Sequence, residues 1–338
     1  MNVDISDGIE SGDIIIKVLT TNTSMSSLLT DEKFEGKVIQ PHSNASKYIG
    51  EHGLALSIEI TQEDEIKKYL LDAGGPKNSV ISNAEAMGID FKDYNKLILS
   101  HGHIDHFGGL INILPKLKEE CELILTPESY NQNIILVPKS NQDFYSPEVL
   151  TEKFHELEKE NKFRFNIKLP SLNRKIIENL IEQNKLKITM TQDPIKLSSG
   201  ITTSGEIEIF DENELTKGIY LMKSRKEFAK NTFRDEISIY INVKDKGLVV
   251  ITGCGHVGIV NTIKHGQNLT GINKIYALIG GFHKEWEKIE NIKESVLFIE
   301  NLNPEITCGM HCTGFEFNKI MSRHQSHTLG IVGTEFHL

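Results

Sequence analysis

Apolar and polar positions follow two periods along this chain, and the periods take turns. Short apolar-rich runs at residues 13–19, 54–60, 67–71, 97–99 and 122–126, each bounded by polar or glycine-rich residues, predict strands. Residues 82–90 (SNAEAMGID) have helical composition with a glycine near the end, and residues 110–118 predict a second helix. Strand character resumes at 206–210, 237–243 and 248–256, where the last two runs flank Lys246-Gly247 as a hairpin. Two more strands, at 274–279 and 305–310, enclose a helix at 286–302. Alternation on this scale predicts an α/β layered fold in one domain over residues 1–338. From about Asn131 to Lys185 the texture changes. Ser146-Pro147-Glu148 starts a charged amphipathic body, and residues 172–181 repeat it, predicting a helical insertion.

Composition narrows the class. The chain of 338 residues is long enough to bury a large core, and 38% hydrophobic beside 25% charged residues is ordinary for a globular protein. A net charge of −10 argues against a nucleic-acid partner, which would want clustered Lys and Arg. No apolar run approaches the roughly 20 residues of a membrane span. Met1 to Asp13 is acidic and polar, unlike a signal peptide, so a cytoplasmic location with no membrane partner is expected. The four cysteines, Cys121, Cys254, Cys308 and Cys312, are too few and scattered for a disulfide framework, and Cys121 and Cys308 are expected as free thiols. Cys308 and Cys312 flank His311 in a way that suggests a small zinc clip, but no second cysteine pair accompanies them.

The chemistry concentrates in His101-Gly102-His103-Ile104-Asp105-His106, between the apolar run 97–99 and the turn at Gly108-Gly109. Side chains two apart share a side while the chain is extended, so His101 and His103 suit one ion, and Asp105 and His106 suit a neighbouring one after the turn. A polar loop capping a strand is the plainer alternative. Three histidines and an aspartate in six residues exceed what capping asks for. Asp72, at the end of a strand before Gly74, serves equally as a turn cap or as a group that orients the histidine loop.

H-x-H-x-D-H resembles the loop of the metallo-β-lactamase superfamily, whose members use one or two ions, most often zinc, to activate water. With E-H-G-L at 51, D-A-G-G at 72, G-C-G-H-V-G-I-V-N at 253–261, G-G-F-H at 280, H-C-T-G at 311 and V-G-T at 332, the chain is similar to one branch. That branch is the 7,8-dihydropterin-6-methyl-4-(β-D-ribofuranosyl)aminobenzene-5′-phosphate synthase-like proteins, and the resemblance covers nearly everything except the insertion. It implies an αββα sandwich of two mixed sheets flanked by helices, and two Zn2+ ions, with Mn2+ or Fe2+ also suited to nitrogen and oxygen ligands. It also implies that Asp72 orients the loop and that His311 is the last ligand of the second ion.

The superfamily normally supplies another histidine and then an acidic or cysteine ligand before the last histidine. Here only His155, in a charged helical stretch, lies between His106 and His256, and Gly253-Cys254 stands where G-D is common. His256 is therefore the candidate to complete the first site, with Cys254 as the alternative. Asp105 and His283 are expected to be catalytic, Asp105 orienting water and His283 hydrogen-bonding substrate. His52 offers a further substrate contact, and for both His52 and His283 the simpler alternative is an imidazole bonded to a backbone carbonyl. The expected activity is that of a hydrolase or related transferase acting on a small phosphorylated or pterin-like molecule. The alternatives are a ribonuclease Z-like phosphodiesterase and a metal-binding sensor without turnover. The insertion is expected either over the site mouth or as a solvated face.

Overall fold

β-Branched and aromatic residues build the strands that the period-two runs predict, and their inward side chains meet in one continuous core. The protein is described here from a computed structural model covering residues 2–25, 32–41, 47–139 and 144–338. The first sheet runs β2 (Val38–Ile39), β18 (Glu335–His337), β1 (Ile14–Thr20), β3 (Ala55–Gln62), β4 (Glu65–Leu71), β5 (Lys96–Ile98), β6 (Glu122–Leu125), β9 (Lys187–Met190). The second runs β10 (Lys196–Ser198), β11 (Ile201–Thr203), β14 (Ile239–Val243), β15 (Gly247–Thr252), β16 (Ile275–Gly281), β17 (Ile306–Met310). Both are mixed. Ile58, Leu71 and Ile98 of the first sheet pack against Ile239, Val249 and Ile279 of the second.

Helices cover the outer faces. Val80 and Ala84 of α1 (Ser79–Met87), with Leu110 and Ile113 of α3 (Leu110–Ile113), pack on Leu70 and Leu97 of the first sheet; the short α2 (Ile104–Phe107) lies between them in sequence. On the second sheet, Ile263 of α6 (Ile259–Thr270), Val296 of α7 (Ile289–Leu302) and Phe317 of α8 (Phe315–Met321) pack on Tyr240, Val250 and Leu278. The architecture is the αββα sandwich that the sequence implies.

Residues 131–185 hold the two helices expected and two strands besides. They contain α4 (Pro147–Lys159) and α5 (Arg174–Gln183), but also β7 (Asn133–Pro138) and β8 (Phe163–Lys168). These join β12 (Ile219–Ser224) and β13 (Glu227–Lys230) in a third, antiparallel sheet ordered β13-β12-β7-β8. The alternation Phe163, Phe165, Ile167 was hidden among charges, and half of the sheet's strands come from far along the chain. Ile177 and Ile181 of α5 leave the insertion and enter the core cluster of the first sheet. Residues 140–143 of the expected insertion lie outside the described residues. The predicted strand at 206–210 is a loop, because the Glu208 backbone is tied to His265, and the Phe210 and Asp211 backbones to Asn261, instead of to a strand.

The topology places the chemistry. β4 and β5 are parallel, as are β15, β16 and β17, so their carboxyl ends come to shared edges where the two sheets meet. Asp72, His101, Cys254, Phe282 and His311 follow these strands directly or within two or three residues. Among the described residues no helix is long and apolar enough to cross a membrane.

Candidate metal centre

The loop after β5 delivers His101, His103 and His106, all buried, and the loop after β15 brings His256 onto them. One nitrogen from each of His101, His103 and His256 lies within 4.8 Å of the other two. His103 Nδ1 is 3.1 Å from His256 Nε2. Each ring also keeps one buried nitrogen without a partner: His101 Nε2, His103 Nε2 and His256 Nδ1. Buried polar atoms are normally satisfied, so orphaned imidazole nitrogens on converging rings fit the donor set of a divalent cation.

A second cluster adjoins it. His106 Nε2 lies 3.1 Å from His311 Nε2, His311 Nε2 lies 3.1 Å from Asp105 Oδ2, and His106 Nε2 lies 3.8 Å from the same oxygen. His52 Nε2 approaches Asp105 Oδ2 at 3.4 Å from the solvent side. Cys254 reaches both clusters, lying with His101 and His106 in one potential ligand group and with His283 and Cys312 in another. Its Sγ is 2.9 Å from that of Cys312, and neither cysteine is in a disulfide. The structure thus brings together His101, His103, Asp105, His106, His256, His311 and Cys254, whereas Cys308 is buried in the core between the sheets and forms no clip with His311 and Cys312 among the described residues. His155 stays on the surface.

Electrostatics favour ligand forms. Burial pushes His103 and His311 down to about 4, and His283 to about 3, and it holds His101 and His256 well below the ordinary value. Neutral imidazoles are what a cation requires. Burial opposes charge on Asp105 too, yet His106 and His311 hold its carboxyl well below the usual range. For His106, burial is outweighed by Asp72 and Asp105, which raise it.

Orientation comes from groups behind the ligands. Asp72 accepts from the Ser100 backbone N–H at 2.7 Å and the Ser100 hydroxyl at 2.7 Å, and its Oδ2 is 2.6 Å from His106 Nδ1. Ser100 Oγ in turn meets His101 Nδ1 at 2.9 Å. Hydrogen bonds of this kind fix ring orientation and tautomer behind a metal. Gly253 lets the two halves meet there, since a Cβ at that position would lie 2.1 Å from Ser100 Oγ.

With this geometry in place, the comparisons with known proteins decide the family. The chain is 30% identical over 275 residues, 80% of its length and 84% of the relative's, to the 7,8-dihydropterin-6-methyl-4-(β-D-ribofuranosyl)aminobenzene-5′-phosphate synthase of Methanocaldococcus jannaschii. The chain belongs to this synthase family. A second, uncharacterized protein of the same organism is 26% identical over 298 residues, 88% of this chain and 97% of that protein. No family model matches. Among solved structures, one described as a metal-dependent hydrolase of the β-lactamase superfamily superposes with a TM-score of 0.67 at 21% identity, covering 96% of this chain and 99% of that one. The synthase-family chain therefore has the metallo-β-lactamase fold.

Several residues that build the site were not singled out from sequence. Asp235 Oδ2 accepts from the Gly102 N–H at 2.9 Å, and Glu236 accepts from the backbone N–H groups of Gly255, His256 and Val257 at 2.7, 2.8 and 2.7 Å. One acidic pair thus holds both ligand loops. Burial pushes Asp235 up to about 6 and Glu236 to about 7. Two acids at the mouth of an apolar strand, Asp235-Glu236 before Ile237, were the available signal. Asn22 Oδ1, 3.0 Å from His311 Nδ1, carried no comparable signal.

Proposed function

We propose that this chain is a metal-dependent hydrolase or related transferase acting on a small phosphorylated or pterin-like molecule, with neither nucleic acid nor membrane as partner. The observation that carries the reading is the set of three buried imidazoles, each with an unpartnered nitrogen, beside a second cluster of two imidazoles and a carboxylate. The substrate class rests on the name of the relative, a synthase whose product carries a dihydropterin and a phosphate. His101, His103 and His256 hold one divalent ion, and Asp105, His106 and His311 hold the other, with Cys254 in reach of both positions. Zn2+ suits this set, as do Mn2+ and Fe2+. Ions there would supply water of lowered pKa and offset negative charge growing on a phosphoryl or carbonyl oxygen.

The chain's own residues do the rest. Asp105, at the solvent edge of its cluster and near His52, orients the attacking water and receives its hydrogen bond. Thr216 Oγ1 lies 3.2 Å from His283 Nδ1; donating there, it leaves the hydrogen on Nε2 to face a substrate oxygen. Ile135, Leu169 and Ile219, from the third sheet and its flank, line the cavity beside His103, Asp105 and His256 and exclude bulk water.

The reading is tested by assaying bis-p-nitrophenyl phosphate, p-nitrophenyl phosphate, a lactone and a β-lactam with and without chelator. Turnover of a phosphate ester that chelator abolishes is expected. Absence of turnover on the whole panel by metal-loaded protein favours a binding protein. Elemental analysis tests the ligands: His103→Ala and His311→Ala should each lose metal, and unchanged stoichiometry in both would remove the assignment.

A further inference from the structure

Cys254 and Cys312 stand on loops that the second sheet holds apart. Cys254 follows β15 and Cys312 follows β17, with β16 between them. Their side chains meet all the same, Sγ to Sγ at 2.9 Å, and the Cys312 thiol donates to the Cys254 carbonyl oxygen at 3.2 Å. Gly281, at the end of β16, permits the crossing: a Cβ there would lie 3.0 Å from Cys312 Sγ and 3.1 Å from Cys254 Cα. Both cysteines line the cavity above the ligands, Cys312 being 5% and Cys254 2% exposed. Cys121 and Cys308 lie elsewhere, in two separate core clusters. The pair also stands at a sensitive place. Cys312 is next to His311 in the chain and Cys254 is two residues before His256, so the loops that complete both clusters also carry the two thiols. Cys254 lies within ligand reach of His101 and His106. A thiolate at that position is a donor for a divalent ion, and a disulfide sulfur has no thiolate to give.

We propose that Cys254 and Cys312 are a modification site, a dithiol that a hydroperoxide oxidises to a disulfide across β16, weakening the hold on metal. Cys312, the more exposed of the two, is oxidised first. Its sulfur forms a bond to a peroxide oxygen, the O–O bond breaks, the thiol proton leaves on the departing oxygen, and a sulfenic acid remains. The Cys254 sulfur then attacks the Cys312 sulfur, the S–O bond breaks, and the second thiol proton leaves with the hydroxyl as water. Two thiols are oxidised by two electrons in all, one peroxide is reduced, and no further reactant is needed. The S–S bond, about 2 Å long, asks the pair to close by roughly another 1 Å. The effect on metal rests on the reading of the histidine and aspartate clusters as ion sites; the bond itself does not.

The experiment treats the full-length, metal-loaded protein with hydrogen peroxide. Of the four thiols counted in denaturant, two should disappear, and a non-reducing peptide map should join the Cys254 peptide to the Cys312 peptide. Competition with a chromogenic chelator should show metal affinity about tenfold lower, the low end of what loss of a supporting group costs a metal site. A phosphine reductant should restore both thiols and affinity. Cys312→Ser, a replacement of similar size, should lose the link and the phosphine-reversible change in affinity together. Survival of all four thiols, a link between other cysteines, an oxidised protein that holds metal as tightly as the reduced one, or a reversible change that persists in Cys312→Ser would each overturn the proposal. The two readings fail separately. A reduced protein that takes up no metal would sink the reading of the clusters as ion sites, and the peptide map would still decide whether the bond forms.

Discussion

Asp72 carries more of the centre than any ligand does, because one carboxylate holds the Ser100 backbone, the Ser100 hydroxyl and His106. Asp72→Asn keeps the shape but puts an N–H2 where one of these donors points. Metal affinity should fall about 10- to 100-fold, as measured by competition with a chromogenic chelator. Gly253→Ala should cost more, since its Cβ meets Ser100 Oγ at 2.1 Å and pushes the two halves apart. Loss of metal together with a lowered melting temperature is the expected result. His283→Ala should keep fold and metal while slowing turnover by about 10² to 10³; a metal-depleted variant would instead make His283 a ligand. At this scale the sequence is legible where ligands crowd together, as from His101 to His106. It is silent where a role depends on a partner 133 residues away, as with Gly102 and Asp235.

Strand ends do the positioning, and three of them do it in an uncommon backbone conformation. Asp72, His283 and His311 have φ of 63°, 42° and 54°, the left-handed region that non-glycine residues seldom enter. Each turns the chain sharply at a carboxyl end of β4, β16 or β17, aiming a side chain into the site. Nothing in a strand's periodicity forecasts that turn, which is why the sequence gives the ligand and not its aim. The third sheet was illegible for another reason: its strands β7 and β8 are completed by β12 and β13, beyond the intervening strands of both main sheets. Deleting residues 131–185 should therefore not leave a core that folds. It would strip β12 of a partner and remove Ile177 and Ile181, buried in the first core cluster, at a cost of several kcal/mol. Thermal denaturation should show a large drop. The milder change Phe165→Ala, on a half-exposed ring stacked at 6.1 Å on Trp286, should alter substrate preference with little change in melting temperature.

Across the whole molecule, layer order and helix placement follow from where the apolar runs fall, and they were legible. The meeting of the two halves was not, since it depends on contacts such as Gly253 with Ser100 and Asp105 with His311. Both clusters draw side chains from both main sheets, so ions bound as proposed should fasten one layer to the other. At free metal a hundredfold above Kd, mass action adds about 2.7 kcal/mol for each site filled, which for a chain of this size raises the melting temperature by about 4 °C per ion. Calorimetry with and without chelator checks this, and an unchanged transition would place the ions outside the load path. The layers share one wiring diagram: an antiparallel hairpin, β3-β4 or β14-β15, followed by two parallel strands, β5-β6 or β16-β17. Neither half owns a complete set of ligands. During synthesis the histidine loop is made early and waits, because its first cluster cannot close before His256 exists and its second cannot close before His311. On the proposed two-ion assignment, uptake of both ions would be a privilege of a nearly finished chain, and a product truncated before His311 would reach at most half of that metal.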